Sequence, residues 1–254
     1  MEMQFKREKL LGCGGQAEVF LASTLTQYFS SNVLPPLIAV KSVDTMDCVP
    51  LMRENQILED LGGCQSIIKH YGVRLTLENG QMIYNILLEF AEGGSLFDQI
   101  QTYGANGLPE TEVRDFTESI LLGLKHIHDH GYVHRDIKPE NILICKNNEE
   151  ATGIKRYPLY MAPETVIYGE YRPSSDVWAL VLEMLTGNQA WNLPPKTELK
   201  TLFSYIASEY PLAPTWISSE ARDFMIRCFS KDLRYRWTVD MLLRHLWKAN
   251  GDSH

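Results

Sequence analysis

The run His134-Arg135-Asp136-Ile137-Lys138-Pro139-Glu140-Asn141 places a candidate base, a fixed cation and a metal-ligating amide within eight residues. The Asp136 carboxylate can accept a proton from an alcohol. Lys138, two residues on, is a cation suited to a phosphate. Asn141 offers its side-chain oxygen to a magnesium ion. These are the parts needed to move a phosphoryl group onto a hydroxyl.

Other residues extend that chemistry. Gly12-Cys13-Gly14-Gly15-Gln16-Ala17-Glu18-Val19 sits between two strand-like runs. Gly12 and Gly14 let backbone N–H groups approach phosphate oxygens without a Cβ in the way. A Gly-x-Gly turn alone is also common in plain hairpins. Lys41 ends the apolar run Leu37-Ile38-Ala39-Val40, and Glu54 lies on a helical stretch after it. In this reading Glu54 orients Lys41, and Lys41 holds the α- and β-phosphates. In the linker Leu88-Glu89-Phe90-Ala91-Glu92-Gly93-Gly94, the C=O of Glu89 and the N–H of Ala91 can pair with an adenine edge. Val19, Ala39 and Leu143 would sandwich the ring.

Some eye-catching residues are read more plainly. His126, His128 and His130 alternate along a helix, and residues two apart point to different faces, so no common metal ion is expected. Cys13 is treated as inert. Asp176 is expected to brace the catalytic loop, and Arg236 to pair with Glu164. Thr152 and Thr165 are candidate phosphosites.

The elements that must position these groups follow from periodicity. Strands are expected around Leu10-Leu11, Glu18–Ala22 and Leu37–Val40, with a polar loop from Ser23 to Pro36. Apolar residues at 51, 52, 57, 58 and 61 have helical spacing, and Gly62-Gly63 ends that helix. Tyr71–Leu77 and Met82–Leu88 flank Asn79-Gly80, a strong hairpin signal. Pro109 opens a long helix closed by Gly131. Further helices are predicted at Pro173–Thr186, Glu198–Ser208, Ser219–Phe229 and Val239–Trp247.

Composition narrows the alternatives. The 254 residues carry a net charge of −8, which argues against a nucleic-acid polymer as partner. The five cysteines include no CxxC pair, and a reducing compartment suits them best. No apolar leader and no run of membrane-spanning length is visible, so no membrane partner is expected. The expected location is the cytosol, with the nucleus as second choice.

Taken in order, the glycine loop, Lys41, Glu54, the Gly-Gly linker, His134–Asn141, Ala162-Pro163-Glu164, Asp176-Val177-Trp178 and Arg236 resemble a eukaryotic protein kinase from Leu10 to Trp247. Lys138-Pro139-Glu140-Asn141 resembles the serine/threonine branch. The short Lys41–Glu54 spacing and Pro158–Glu164 resemble plant mitogen-activated protein kinase kinase kinases. The resemblance implies an α+β, bilobal kinase fold: a small β-rich N-lobe with one helix (about 1–90), a hinge (about 89–94) and a larger, mainly helical C-lobe (about 95–248), in one domain over 1–254. It implies ATP and Mg2+ as cofactors and a protein substrate, a downstream kinase in a MAP kinase cascade. Asp136 would be the base, Lys138 would steady the γ-phosphate and Asn141 would hold a magnesium ion. The glycine loop with Lys41 and Glu54 would position the nucleotide.

Two departures stand out. Asn141 and Glu164 are only 23 positions apart, and no Asp-Phe-Gly lies between them. Asn147–Glu150 reads as a hairpin turn running straight into late loop, with no second strand. Glu149 or Glu150 is a candidate substitute ligand for the missing aspartate. Trp178 and Glu183 are five apart, shorter than the family's central buried helix. Tyr157 stands where serine/threonine kinases usually have threonine. The clean flanks suggest an active-kinase sequence that has lost segments, as in a splice form or a faulty gene model; the alternative is an impaired pseudokinase or scaffold that binds nucleotide or partner kinases.

Overall fold

The computed structural model describes residues 5–14, 17–25, 28–29, 32–145, 149–152, 160–178, 182–188, 191, 193–194, 197–211 and 213–246. Strand β1 (Phe5–Gly14) pairs with β2 (Ala17–Thr24), followed by a two-residue pair, β3 (Tyr28–Phe29) and β4 (Asn32–Val33). After β5 (Leu37–Asp44) comes helix α1 (Val49–Asp60), then β6 (His70–Glu78) and β7 (Gln81–Glu89). The sheet order is β1-β2-β5-β7-β6, antiparallel throughout. The expected loop from Ser23 to Pro36 is therefore corrected. Ser23 and Thr24 finish β2, and the Tyr28-Phe29 and Asn32-Val33 pairs satisfy each other's backbone groups. Asn79 and Gly80 have φ of 50° and 82°, the left-handed pair a two-residue hairpin requires.

Strand alternation gives the sheet two working faces. Ala39 and Val43 join Ile86, Leu88 and Tyr84 of β7 and Leu51 of α1 in one apolar cluster. Ile38 and Val40 point the other way, onto Phe5, Ala22, Leu34 and Leu87. Each such aliphatic side chain removed from water contributes about 1.5–3 kcal/mol.

The hinge is built on close backbone contact. Gly93 N–H donates to the Ile144 carbonyl at 2.8 Å, and Ile144 N–H donates to that of Gly94 at 2.9 Å. A Cβ on Gly93 would stand 2.6 Å from the Ile144 oxygen, so only glycine fits there.

Beyond the hinge the described chain is mainly helical. A reciprocal Ser95–Asp98 capping box opens α2 (Leu96–Tyr103). The central α3 (Glu110–Asp129) buries Val113, Thr117, Ile120, Leu121, Leu124 and Ile127, and Gly131 follows it at φ 79°. Strands β8 (Ile142–Cys145) and β9 (Glu149–Thr152) form an antiparallel ribbon. The second strand of that hairpin is thus present, contrary to the sequence expectation. The backbone groups of Ile142–Cys145 need partners and recruit Glu149–Thr152, because ladder pairing does not depend on apolar side chains.

Helix α4 (Pro163–Tyr168) precedes α5 (Pro173–Trp178) and α6 (Leu182–Thr186). The single helix predicted over 173–186 is described as these two pieces, with 179–181 outside the described residues. Helices α7 (Leu199–Ser208), α8 (Ser219–Cys228) and α9 (Val239–His245) complete the core. Their ends differ from the sequence expectation by one or two residues, and Trp247 lies outside the described residues. Among the described residues no helix is long and apolar enough to cross a membrane.

Candidate active site

The catalytic loop has no regular structure up to Lys138 and is held from α5. Asp176 accepts the N–H of His134 at 2.9 Å and of Arg135 at 2.7 Å, and its Oδ2 lies 2.8 Å from His128 Nε2. This is the bracing role expected from sequence. Arg135 adopts φ 71°, a left-handed conformation costing a non-glycine residue about 1–2 kcal/mol. The Asp176 bond and stacking of the Arg135 guanidinium over Tyr171, at 5.2 Å, help hold it there. Burial holds the His134 pKa below its usual value, against the pull of Asp176. The neutral ring suits its Nδ1 to accept the N–H of Asp136, at 3.3 Å.

Asp136, Lys138 and Asn141 are brought together. Asn141 Nδ2 donates to the Asp136 carboxylate at 2.7 Å and to its carbonyl at 2.9 Å. A turn of 3-10 helix over Pro139–Asn141 returns the Asn141 N–H to the Lys138 carbonyl at 2.9 Å. Asp136 is 6% exposed and Lys138 2%. A carboxylate and an ammonium this buried require partners, since an isolated charge there would be neutralised.

Lys41 and Glu54 meet across the sheet–helix junction, with Nζ 2.7 and 2.6 Å from the two carboxylate oxygens. Val19 lies opposite Lys41 in the β2–β5 register. Val19 and Leu143 pack against the cluster that contains Ala39, so the three expected ring contacts share one apolar surface. Leu143 reaches it because the ribbon bridges Ser95 beneath the hinge. Glu89 ends β7 opposite Ile38, with its N–H on the Lys69 carbonyl at 2.9 Å. Ala91 comes two residues later, its carbonyl accepting from Gly94 N–H at 3.2 Å. Gly12 stands opposite Val19 and Gly14 opposite Ala17, while Gly15 and Gln16 lie outside the described residues. A Cβ on Gly12 would meet nothing within 4 Å, so the protein itself leaves that space open. This set fits a nucleotide: a braced cation, an apolar slot and open space beside Gly12.

The donor set for the family's magnesium ion is a different matter. Asn141 Nδ2 faces Asp136, and an amide oxygen is the kind of atom that a magnesium ion takes as a ligand. The Asp-Phe-Gly carboxylate that completes such a site is missing from the sequence. Glu149 and Glu150, the candidate substitutes, belong to the far end of the ribbon. In the ribbon they face Cys145 and Ile144, whereas Thr152 faces Ile142, the neighbour of Asn141. Two or three residues of strand put them about 7–10 Å along the ribbon from that end. Among the described residues no group of three or more His, Cys, Asp or Glu converges on one point. The residues present therefore do not reproduce the family's metal centre. Gly153, next after β9, and Tyr157 lie outside the described residues.

The segment after the loop is fixed by buried charge. Arg236 grips Glu164 through both nitrogens, at 2.6 and 3.0 Å, as expected from sequence. Ser175 adds a bond to Glu164 at 2.7 Å. Burial pushes the Glu164 pKa up, but the bonds from Arg236 and Ser175 outweigh it and hold the group below its usual value.

Sequence reasoning missed a second buried contact, the Tyr160 hydroxyl donating to Glu183. Only the aromatic residue beside Ala162-Pro163-Glu164 hinted at it. Burial raises the Glu183 pKa, the Tyr160 bond opposes this, and nearby Glu140 adds to it. Thr165 is a correction: it is buried, and its hydroxyl donates to the Glu170 carbonyl at 2.8 Å, an unsuitable setting for a phosphosite. The side chain of Thr152 lies outside the described residues. The three histidines take separate partners: His126 the Leu61 carbonyl, His128 Asp176 and His130 the His126 carbonyl.

Comparison with known proteins agrees with this geometry. The sequence profile of the protein kinase domain matches residues 5–248. Mitogen-activated protein kinase kinase kinase 20 of Arabidopsis thaliana is 39% identical over 268 residues, covering 96% of this chain and 78% of the relative. Mitogen-activated protein kinase kinase kinase 17 of the same plant is 31% identical over 265 residues, covering 96% and 69%. Cytokinesis protein sepH of Emericella nidulans is 32% identical over 238 residues, covering 84% of this chain and 17% of the relative. With the profile spanning nearly all of it and plant relatives aligned over 96% of its length, the chain belongs to the protein kinase family, on its serine/threonine side.

Proposed function

We propose that this chain is an ATP-dependent serine/threonine protein kinase acting in a MAP kinase cascade, on the activation loop of a downstream kinase. The observation that carries the reading is the Asp136 carboxylate, fixed at 2.7 Å by Asn141 inside a loop clamped by Asp176. ATP supplies the phosphoryl group. Asp136 accepts the proton of the substrate hydroxyl, and Lys138 steadies the γ-phosphate. Lys41, oriented by Glu54, holds the α- and β-phosphates. The adenine rests among Val19, Ala39 and Leu143, with its edge on Glu89 and Ala91. Cysteines suited to a reducing compartment support a cytosolic location, with the nucleus as second choice.

A second reading, a catalytically impaired module that binds nucleotide or partner kinases, is favoured by the missing Asp-Phe-Gly and by the position of Glu149 and Glu150 at the far end of the ribbon. Labelled ATP with a generic protein acceptor, run beside Asp136→Asn, separates the two. Incorporation above the variant supports the kinase. Equal background in both supports the impaired module.

A further inference from the structure

Arg7 ties β1, the strand that ends at Gly12–Gly14, to the rest of the sheet. It sits on β1, at one edge of the sheet, yet its guanidinium reaches every other strand of that sheet. Nη1 donates to Glu78 at the end of β6, the opposite edge. Nη2 donates to Ser42 of β5 at 2.9 Å and to Asn85 of β7 at 2.8 Å. The guanidinium carbon lies 4.7 Å over the Phe20 ring of β2.

The partners are tied to one another. Ser42 donates to Asn85 at 2.7 Å, Asn85 to Thr76 at 2.9 Å, and Thr76 to Glu78 at 2.6 Å. Asn85 is fully buried. The network thus joins the two edge strands of the sheet through side chains.

The network's position matters more than its presence. Between Arg7 and the glycine turn, β1 carries two register shifts, one at Arg7/Lys9 and one at Leu10/Gly12. Each bulge bends the strand and re-aims the residues beyond it. Among the described residues β1 pairs with β2 alone, with Gly12, Cys13 and Gly14 opposite Val19, Glu18 and Ala17, so the direction of that end follows the bends in β1 and the anchoring of its root. Arg7 lies just before the first of them. It grips Ser42 and Asn85 on the face of the sheet opposite Lys41, and so holds the two strands, β5 and β7, that carry Lys41 and its cross-strand neighbour Ile86.

We infer that Arg7 is a positioning residue that sets how the Gly12–Gly14 end of β1 stands relative to Lys41, and so the grip on a nucleotide's phosphates. The inference rests on the nucleotide-binding reading above. It predicts a selective defect: loss of the clasp weakens binding of a triphosphate and leaves that of adenosine, which needs only the apolar slot and hinge, unchanged.

The test uses the full chain and compares wild type, Arg7→Met and Glu78→Gln, each confirmed folded by circular dichroism at the assay temperature. Dissociation constants for ATP and for adenosine are measured by calorimetry. ATP affinity is expected to fall about tenfold in Arg7→Met and about threefold in Glu78→Gln, about 1.4 and 0.6 kcal/mol. Adenosine affinity should hold. The second variant separates position from charge, since removing a carboxylate would tighten an anion if long-range attraction were the cause. Should Arg7→Met not fold, Glu78→Gln decides alone. Unchanged or tighter ATP binding in that variant, or equal losses for ATP and adenosine, overturns the inference. Failure of the wild type to bind either ligand overturns the nucleotide reading itself.

Discussion

Asp176 stands 41 residues from Arg135 in sequence, yet its Oδ1 accepts the Arg135 N–H at 2.7 Å while Oδ2 takes that of His134 at 2.9 Å. One buried carboxylate thus fixes the entry to the loop that carries Asp136, and holds Arg135 in a conformation it would otherwise leave. Replacing Asp176 with Ala orphans two N–H groups, at about 1–3 kcal/mol each. At about 2–4 °C per kcal/mol for a chain of this size, the melting temperature should drop by roughly 5–20 °C. A drop under about 2 °C in a thermal melt would mean that the loop is held by other contacts.

Lys41 should matter for nucleotide far more than for folding. Its pairing with Glu54 is only partly buried, with side chains 19% and 22% exposed, so the pair's own contribution to stability is small. Lys41→Met is expected to abolish the rise in melting temperature produced by ATP, while moving that of the free protein by less than about 3 °C. Glu54→Gln should retain part of the ATP response. An undiminished ATP response in Lys41→Met removes Lys41 from the binding site.

Arg236 and Glu164 make the opposite case. Removing one partner of a buried pair costs about 3–5 kcal/mol, because the other charge is stranded. Arg236→Met should show this loss in urea unfolding, and Arg236→Met with Glu164→Leu should recover part of it. The pair also sets an acid limb. The folded pKa of Glu164 lies below its unfolded value of 4.5, so its stabilisation is present above that value and is lost as pH falls through the folded pKa. Glu164→Gln should flatten this limb; an unaltered slope would assign acid unfolding to other carboxylates.

Glu183 should act with the reverse sign. Its folded pKa lies above 4.5, so the native state holds its proton more tightly than the unfolded chain does. Stability is then lost as pH rises from about 4.5 through the raised value. Glu183→Gln can keep the Tyr160 bond without the buried charge, and is expected to be more stable than wild type near neutral pH. Melting curves from pH 4 to 8 check it; coincident curves for the two proteins contradict the assignment.

The strands and helices near the site were largely legible because their signals are local. Asn79-Gly80 fixes a hairpin by backbone conformation, and apolar spacing marks α1 and α3. Lys41–Glu54, Asp176 and Glu164–Arg236 were legible as pairs only through resemblance to a family in which such residues recur in order. The strand Glu149–Thr152 was not legible: its residues are mostly polar, and what makes it a strand is the backbone ladder that Ile142–Cys145 offers. The burial of Thr165 and the Tyr160–Glu183 contact were hidden for the same reason, since each depends on the tertiary surroundings.

By itself the sequence determined the chemistry on offer: Asp136, Lys138 and Asn141 within eight residues, a lysine and a glutamate to brace a phosphate, and the absence of the Asp-Phe-Gly carboxylate. Residue types and spacing are enough for that, because they are properties of the chain. Only the tertiary structure decided which groups meet. It seats Glu149 and Glu150 away from Asn141, because register in a ribbon is set by backbone pairing. It also draws Arg7 across five strands to Glu78, because a twisted sheet brings together edges that the chain keeps 71 residues apart.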